Sequence, residues 1–244
     1  MMKITQAFIL AAGRGKRMQH LTDDKPKPLV TVAGKCLIDY NVDHLRDCGI
    51  NECVVNLCYK GEMIRSHLKN RRDMNFIFSV EEEALETGGG IKNALPLMRK
   101  EAFFVINSDA LWSDEQGKAL LQEMAEAWNK SNVDMLLMLQ PIEQAYGVGK
   151  NGDYFLNDDN LPCRRLTSEQ KAPYLYGGVL ICRPQIFDDE PEGCYSLVRI
   201  FDKLEKSGKL GAFIHDGKWF HVGDPEAKQI AEEKFAQVNL ASKR

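Results

Sequence analysis

Residues 8–18 read FILAAGRGKRM, an apolar run that breaks into two glycines set among Arg14, Lys16 and Arg17. A strand that ends in a glycine turn is the usual start of an open parallel sheet, in which ligands bind beyond the carboxyl ends of the strands. The nature of that ligand depends on the turn. A dinucleotide fingerprint requires a third glycine at position 18, which is Met18. A Walker A loop requires G-x-x-x-x-G-K-[ST], which is also absent. What remains is a small-residue turn whose amides can approach a ligand closely, followed by cations. That set suits a polyphosphate, and on these residues alone an exposed basic turn is an equal alternative.

Working outward, the apolar stretches at 7–10, 52–57, 75–80 and 102–107 have strand character. The stretches 37–48, 61–69 and 89–98 between them carry helical apolar spacing. Alternation at this rhythm predicts βαβ units and a mostly parallel, doubly wound, Rossmann-like α/β sheet. A helix at 114–130 and a buried strand at 133–139 extend it. From about 141 the pattern changes to turns around short strand-like pieces, with YLYGGVLIC at 174–182 the longest. We therefore expect one domain over 1–244. Its doubly wound part is residues 1–140, a smaller β-rich substrate lobe follows at 141–223, and a C-terminal helix spans 224–240.

Composition narrows the function. The chain is 44% apolar and 27% charged with a formal net charge of -3, an ordinary globule without the basic excess that nucleic acid or an anionic membrane attracts. No run approaches the roughly 18 apolar residues of a membrane span. The first residues, MMKITQAF, lack a secretory h-region, so a cytoplasmic location is expected. Seven cysteines suit reduced thiols better than a disulfide framework. Cys48, Cys53 and Cys58 fall five apart, but no CxxC or nearby histidine pair gives zinc spacing, and core thiols are the expectation.

Directly after the basic turn, Lys25 and Lys27 alternate with Pro26 and Pro28. The prolines stiffen the backbone and exclude a helix, so two lysines return on a rigid segment beside a basic glycine loop. Such a pairing is poor surface design unless an anion lies between. In the same order along the chain, LAAGRGKRM, KPKPLV, AGK-x-LI, LETGGGIKNALP, INSDALWSD, YLYGGVLICRP and WFHVGDPE resemble the signature segments of sugar-1-phosphate nucleotidyltransferases. The LETGGG form and Asp109-x-x-Trp112 most resemble the N-acetylmuramate-1-phosphate uridylyltransferase branch.

The resemblance implies an enzyme that joins an NTP, with UTP favoured, to a sugar 1-phosphate with Mg²⁺ as cofactor, acting as a monomer or homodimer. Guanylyl transfer to mannose 1-phosphate, or to a related hexose or heptose, is the alternative. It implies that Arg17, Lys27 and Asp109 carry the reaction. Ala11, Ala12, Gly13, Arg14, Gly15 and Arg17 would hold the nucleotide, while Lys16 stands between ligand contact and solvent. The resemblance also makes residues 1–140 the nucleotide-binding part and 141–223 the sugar-binding lobe, and Glu81 matches the family's base-contacting position. Thr87 and Gly88 belong to the same set, because three glycines at a helix start turn amides and dipole toward a ligand. Glu86, Asn107 and Gly178 fall on the sugar side.

Asp109, just past a strand end, is the expected metal ligand. At the second metal position relatives often have aspartate where this chain has His221. Either His221 contacts metal or phosphate, or Asp224 reaches the metal instead, or substrate holds the ion. Alternatively His221 is structural and Asp224 is a helix N-cap. The acid-Lys-Pro element common in relatives is missing, and Arg164, Arg165 and Lys171 are the nearest cations. A nucleotide-sugar-binding regulatory protein without turnover is the reading from another class.

Overall fold

The computed structural model describes residues 3–114 and 119–241. Strands β1 (Gln6–Leu10), β2 (Glu52–Leu57), β3 (Asn75–Val80) and β4 (Phe103–Asn107) lie parallel in the order β4-β1-β2-β3. Helices α1 (Leu37–Asp47), α2 (Gly61–Lys69) and α3 (Glu86–Ala94) occupy the crossovers. The chain winds outward from β1 to β3 and then returns across β1 to place β4. The winding direction therefore reverses between β1 and β4, which opens a crevice at their carboxyl ends.

Strands β1, β2 and β4 are buried along nearly their whole length because both sheet faces are covered there, whereas β3 at the edge is only half-buried. Successive side chains alternate between two cores. Ile9, Val55, Phe104 and Ile106 pack with Val42 and Leu45 of α1 and Ile64 and Leu68 of α2. Phe8, Val54, Phe103 and Val105 pack with Ile91 of α3 and with Ile200 and Phe201 of α5 (Val198–Lys206).

The β-rich part grows out of the same sheet. Strand β5 (Met135–Pro141), the hairpin β6 (Tyr154–Leu156) and β7 (Pro162–Arg164), β8 (Tyr174–Cys182) and β9 (Leu210–Ile214) complete nine strands. Strand β8 lies antiparallel to β4 through Val179–Cys182 and antiparallel to β5 on its other side, with a register slip between Tyr176 and Leu180. That slip contains Gly177 and Gly178, and Gly178 has φ +80. A bulged strand bends there, which re-aims the following backbone toward the crevice.

Two expected helices shift their starts. The third begins at Glu86 rather than 89 and gives way to a 3₁₀ turn at Leu95–Leu97, where Pro96 ends the α-helical hydrogen bonding. The fourth, α4, is Leu120–Lys130, and residues 115–118 of the expected span lie outside the described residues. The last, α6 (Pro225–Ala241), follows the turn after His221. Its Ala231 and Phe235 join Met18, Leu37, Leu111 and Phe220 in a third apolar cluster. No helix among the described residues is long and apolar enough to cross a membrane.

One buried group sets a pH limit on this fold. His215 is 4% exposed and donates from Nδ1 to Gln140 Oε1 at 2.7 Å, while Gln140 Nε2 donates to the Gly217 carbonyl. Burial, its largest influence, pushes the imidazole down to about 4 from its usual 6.5. The unfolded chain therefore binds one more proton between these values, and stability falls as pH drops from about 6.5 to 4, by up to about 3 kcal/mol. Urea unfolding across that window should show this slope, and His215→Gln should flatten it; an unchanged slope in the variant would exclude His215 as its source.

Candidate active site

A cleft of about 400 Å³ opens where the carboxyl ends of β1 and β4 part. Its walls bring together Ala12, Gly13, Gly15 and Arg17 from the first turn and Lys27 and Pro28 from the proline segment. Asn56 and Glu81 come from the ends of β2 and β3, Glu86, Thr87 and Ser196 from the α3 side, and Asn107, Ser108 and Asp109 from the end of β4. Residues far apart in sequence thus meet at the reversal point of the sheet.

The first turn is shaped by what lies beneath it. Gly15 has φ +66, and a Cβ there would sit 2.9 Å from the Lys27 Cβ. Glycine is needed both for the left-handed backbone and for passage of the lysine stem. Met18, whose amide donates to the Gly15 carbonyl at 2.9 Å, is fully buried in the third apolar cluster. The position that a dinucleotide loop would give to glycine is here an anchor. Arg17 faces the cleft. Arg14 is exposed and lies over the Tyr59 ring at 5.3 Å, and Lys16 is exposed; neither lines the cleft.

Lys27 sits in the short 3₁₀ turn Lys27–Leu29, between two prolines. Its side chain is only 11% exposed, and its ammonium forms an ion pair with the carboxylate of Asp109, whose side chain is 35% exposed. Both side chains line the cleft. An arriving phosphate competes for the lysine and an arriving cation for the aspartate, so the pair presents both signs of charge at one point.

Below the cleft a buried polar relay ties the strand ends together. The Ala11 amide donates to Asn56 Oδ1 at 2.7 Å, Asn56 Nδ2 donates to Glu81 Oε1 at 2.7 Å, and the Leu85 amide donates to Glu81 Oε2 at 3.0 Å. Asn56 is 2% exposed and Glu81 5% exposed. Glu81, expected beside the base, thus lines the cleft while both its oxygens hold protein groups. Asn56 was not foreseen; its one signal was a polar residue near the end of the apolar run ECVVNL.

The glycine run behaves differently from the expectation. The amides of Gly88 and Gly89 both donate to the Tyr195 carbonyl, at 2.9 and 3.1 Å. Leu197 donates its amide to Thr87 Oγ1 at 2.8 Å. A Cβ on Gly88 would meet the Tyr195 ring at 2.4 Å, one on Gly89 the Gly193 carbonyl oxygen at 2.0 Å, and one on Gly90 Glu81 Oε1 at 2.8 Å. The close neighbours that these glycines admit are protein atoms. Gly88 is therefore corrected: its amide is closed by the 193–197 loop and does not face a ligand. Thr87 still lines the cleft, as does Glu86, which holds a left-handed φ of +58 at the helix start.

On the opposite wall, Asn107 packs against Gly178, where a Cβ would stand 3.0 Å from Asn107 Nδ2. Gly178 acts beneath Asn107 and is not itself in the wall. His221 stacks beside Trp219 with centroids 5.9 Å apart, and Gly223 leaves room for its ring. Burial, then the Lys27 charge, lowers the His221 imidazole below its usual value, with Asp109 opposing. Asp224 Oδ1 accepts the Ala227 amide at 2.8 Å and caps α6. The alternative of a helix N-cap is the one its geometry displays.

The sequence pattern of the nucleotidyl transferase family matches residues 6–163. The chain belongs to that family. It is 40% identical over 237 residues to the N-acetylmuramate alpha-1-phosphate uridylyltransferase of Caulobacter vibrioides, covering 95% of this chain and 97% of that protein. It is 28% identical to a D-glycero-alpha-D-manno-heptose 1-phosphate guanylyltransferase of Aneurinibacillus thermoaerophilus, covering 94% and 98%. A UDP-glucose pyrophosphorylase solved with UDP-glucose superposes with a TM-score of 0.80 at 17% identity over 96% of this chain and 99% of that one, a likeness of fold. These matches make the chain a family member over nearly its whole length, with the β-rich part included.

The relay beneath this family member's cleft can be broken selectively. Asn56→Ala leaves the Ala11 amide and one Glu81 oxygen unpartnered in a buried place. Urea unfolding should show a loss of about 2–4 kcal/mol, and nucleotide KM should rise more than kcat falls. Unchanged stability would mean that the relay holds nothing.

Proposed function

We propose that the protein transfers the uridylyl group of UTP to N-acetylmuramate 1-phosphate, releasing pyrophosphate. The reading is supported by the 40% identity to the Caulobacter vibrioides enzyme together with one geometric fact, the Lys27–Asp109 pair at the reversal point of the sheet. A sugar-phosphate oxygen attacks the α-phosphorus, the bond to the β-phosphate oxygen breaks, and pyrophosphate leaves with the electron pair. The nucleophile is already ionised, so no base has to remove a proton. The enzyme's task is to align two polyanions whose charges, about 4 Å apart, repel by roughly 4 kcal/mol at an effective dielectric of 20. In this reading Arg17 holds the triphosphate and Lys27 the reacting phosphates.

The donor set suits Mg²⁺ carried in by the phosphates. Asp109 offers a partly exposed carboxylate to the cleft, and one carboxylate with phosphate oxygens is a usual Mg²⁺ environment. His221 is a nitrogen donor and Asp224 has one oxygen on its helix cap, so both would contribute less than Asp109. Bound there, the ion would neutralise phosphate charge as the bond to the leaving group breaks. Seven free cysteines fit a reducing, NTP-supplied cytoplasm as the place of reaction. A binding protein without turnover is disfavoured by Arg17, Lys27 and Asp109 converging on one cleft.

Pyrophosphate release across four NTPs and a panel of sugar 1-phosphates tests the substrate pair. UTP with N-acetylmuramate 1-phosphate should lead, chelation should abolish release and Mg²⁺ should restore it. A preference for GTP would overturn the uridylyl reading, and binding without release for any pair would favour a regulatory role. Separately, Lys27→Met should lower kcat by about 10²–10³-fold, as expected when one donor aimed at developing charge is removed. A variant of normal kcat would take Lys27 out of the chemistry.

A further inference from the structure

Away from the cleft, three side chains of different ligand chemistry converge on one point. Cys36 immediately precedes α1, Asp39 stands in its first turn, and His67 lies in the last turn of α2. One ligating atom from each lies within 4.8 Å of the other two. His67 Nε2 and Asp39 Oδ2 are already 2.9 Å apart. In a tetrahedral zinc site, bonds of about 2.0–2.3 Å place neighbouring ligand atoms roughly 3.3–3.7 Å apart. The three atoms thus lie within about 1.5 Å of the spacing that such a site needs.

We propose that Cys36, Asp39 and His67 form a site for a thiophilic divalent cation, zinc by preference, separate from the reaction cleft. Thiolate, imidazole and carboxylate together favour a borderline ion over Mg²⁺. The surroundings match. Arg71 Nη1 donates to Asp39 Oδ1 at 3.3 Å, which orients the carboxylate and leaves Oδ2 toward His67. A cavity of about 410 Å³ bordered by Lys35, Asp39, His67, Asn70 and Arg71 gives a fourth position access to water. In the surrounding ion-pair network four carboxylates, Asp39, Asp43, Asp47 and Asp73, face three cations, Lys35, Arg46 and Arg71. The network itself is one negative charge in excess, and the Lys25 charge acting on Cys36 offsets it before the thiol ionises. On binding, the Cys36 thiol releases its proton to solvent, its weak 3.6 Å donation to the Leu29 carbonyl ends, and the ion links α1 to α2.

The untagged full chain, stripped with chelator, is titrated with Co²⁺ as a spectroscopic probe and with Zn²⁺ in thermal unfolding. One Co²⁺ per chain with thiolate charge-transfer and tetrahedral visible bands is expected, displaced by Zn²⁺, together with a Zn²⁺-dependent rise in Tm. Cys36→Ser should abolish the charge-transfer band. His67→Gln should weaken binding more than about 100-fold, beyond the 10–100-fold typical of outer partners. Cys58→Ser, outside the cluster, should bind as the parent chain does. Absence of stoichiometric Co²⁺ binding, or a charge-transfer band that survives Cys36→Ser, would overturn the proposal; metal-free circular dichroism of each variant separates loss of ligand from loss of fold.

Discussion

Parallel strands that end together beneath a cleft leave their last backbone groups without a next residue to pair with, and buried amides require partners. In this protein that requirement is met by the Ala11–Asn56–Glu81–Leu85 chain of hydrogen bonds. It joins the ends of the first three strands at the floor of the cleft, where Asn56 and Glu81 line it. The basic turn, the Glu86 backbone and the start of α3 are all placed relative to it. Gly90 belongs to the same constraint, since any side chain there would strike Asn56 and Glu81. The charges that face the ligand therefore rest on a layer of polar groups that are already satisfied.

That layer separates what the sequence disclosed from what it did not. The sheet was legible because its strands are rich in apolar and aromatic residues, so ECVVNL and NFIFSV stand out with the boundaries that the structure has, although only the first is buried along most of its length. The convergence of Arg17, Lys27 and Asp109 was legible through the family resemblance, because the glycine turn alone left an exposed basic turn as an equal alternative. The β-rich part was foreseen as a lobe, yet its long strand pairs directly with β4. Long-range pairing of that kind leaves no mark on local periodicity.

The glycine run shows the limit of local reading in another way. Three glycines at a helix start predict close approach, and close approach is what the structure has. The identity of the approaching group is a tertiary fact, and here it is the Tyr195 carbonyl and the Gly193 backbone. Asn56 escaped notice for the related reason that one polar residue in a strand has no meaning until its partners on neighbouring strands are known. Asp224 gave an ambiguous signal because a carboxylate before Pro225 serves a helix cap and a metal equally well in sequence.

The Tyr195 carbonyl also has a mechanical consequence. By joining the Gly88 and Gly89 amides, it welds the loop ahead of α5 to the helix whose first residues line the cleft. The wall that carries Thr87 and the wall that carries Ser196 are in effect one solid piece. Any displacement of this side must carry both together, so Thr87 and Ser196 keep a fixed spacing across the ligand.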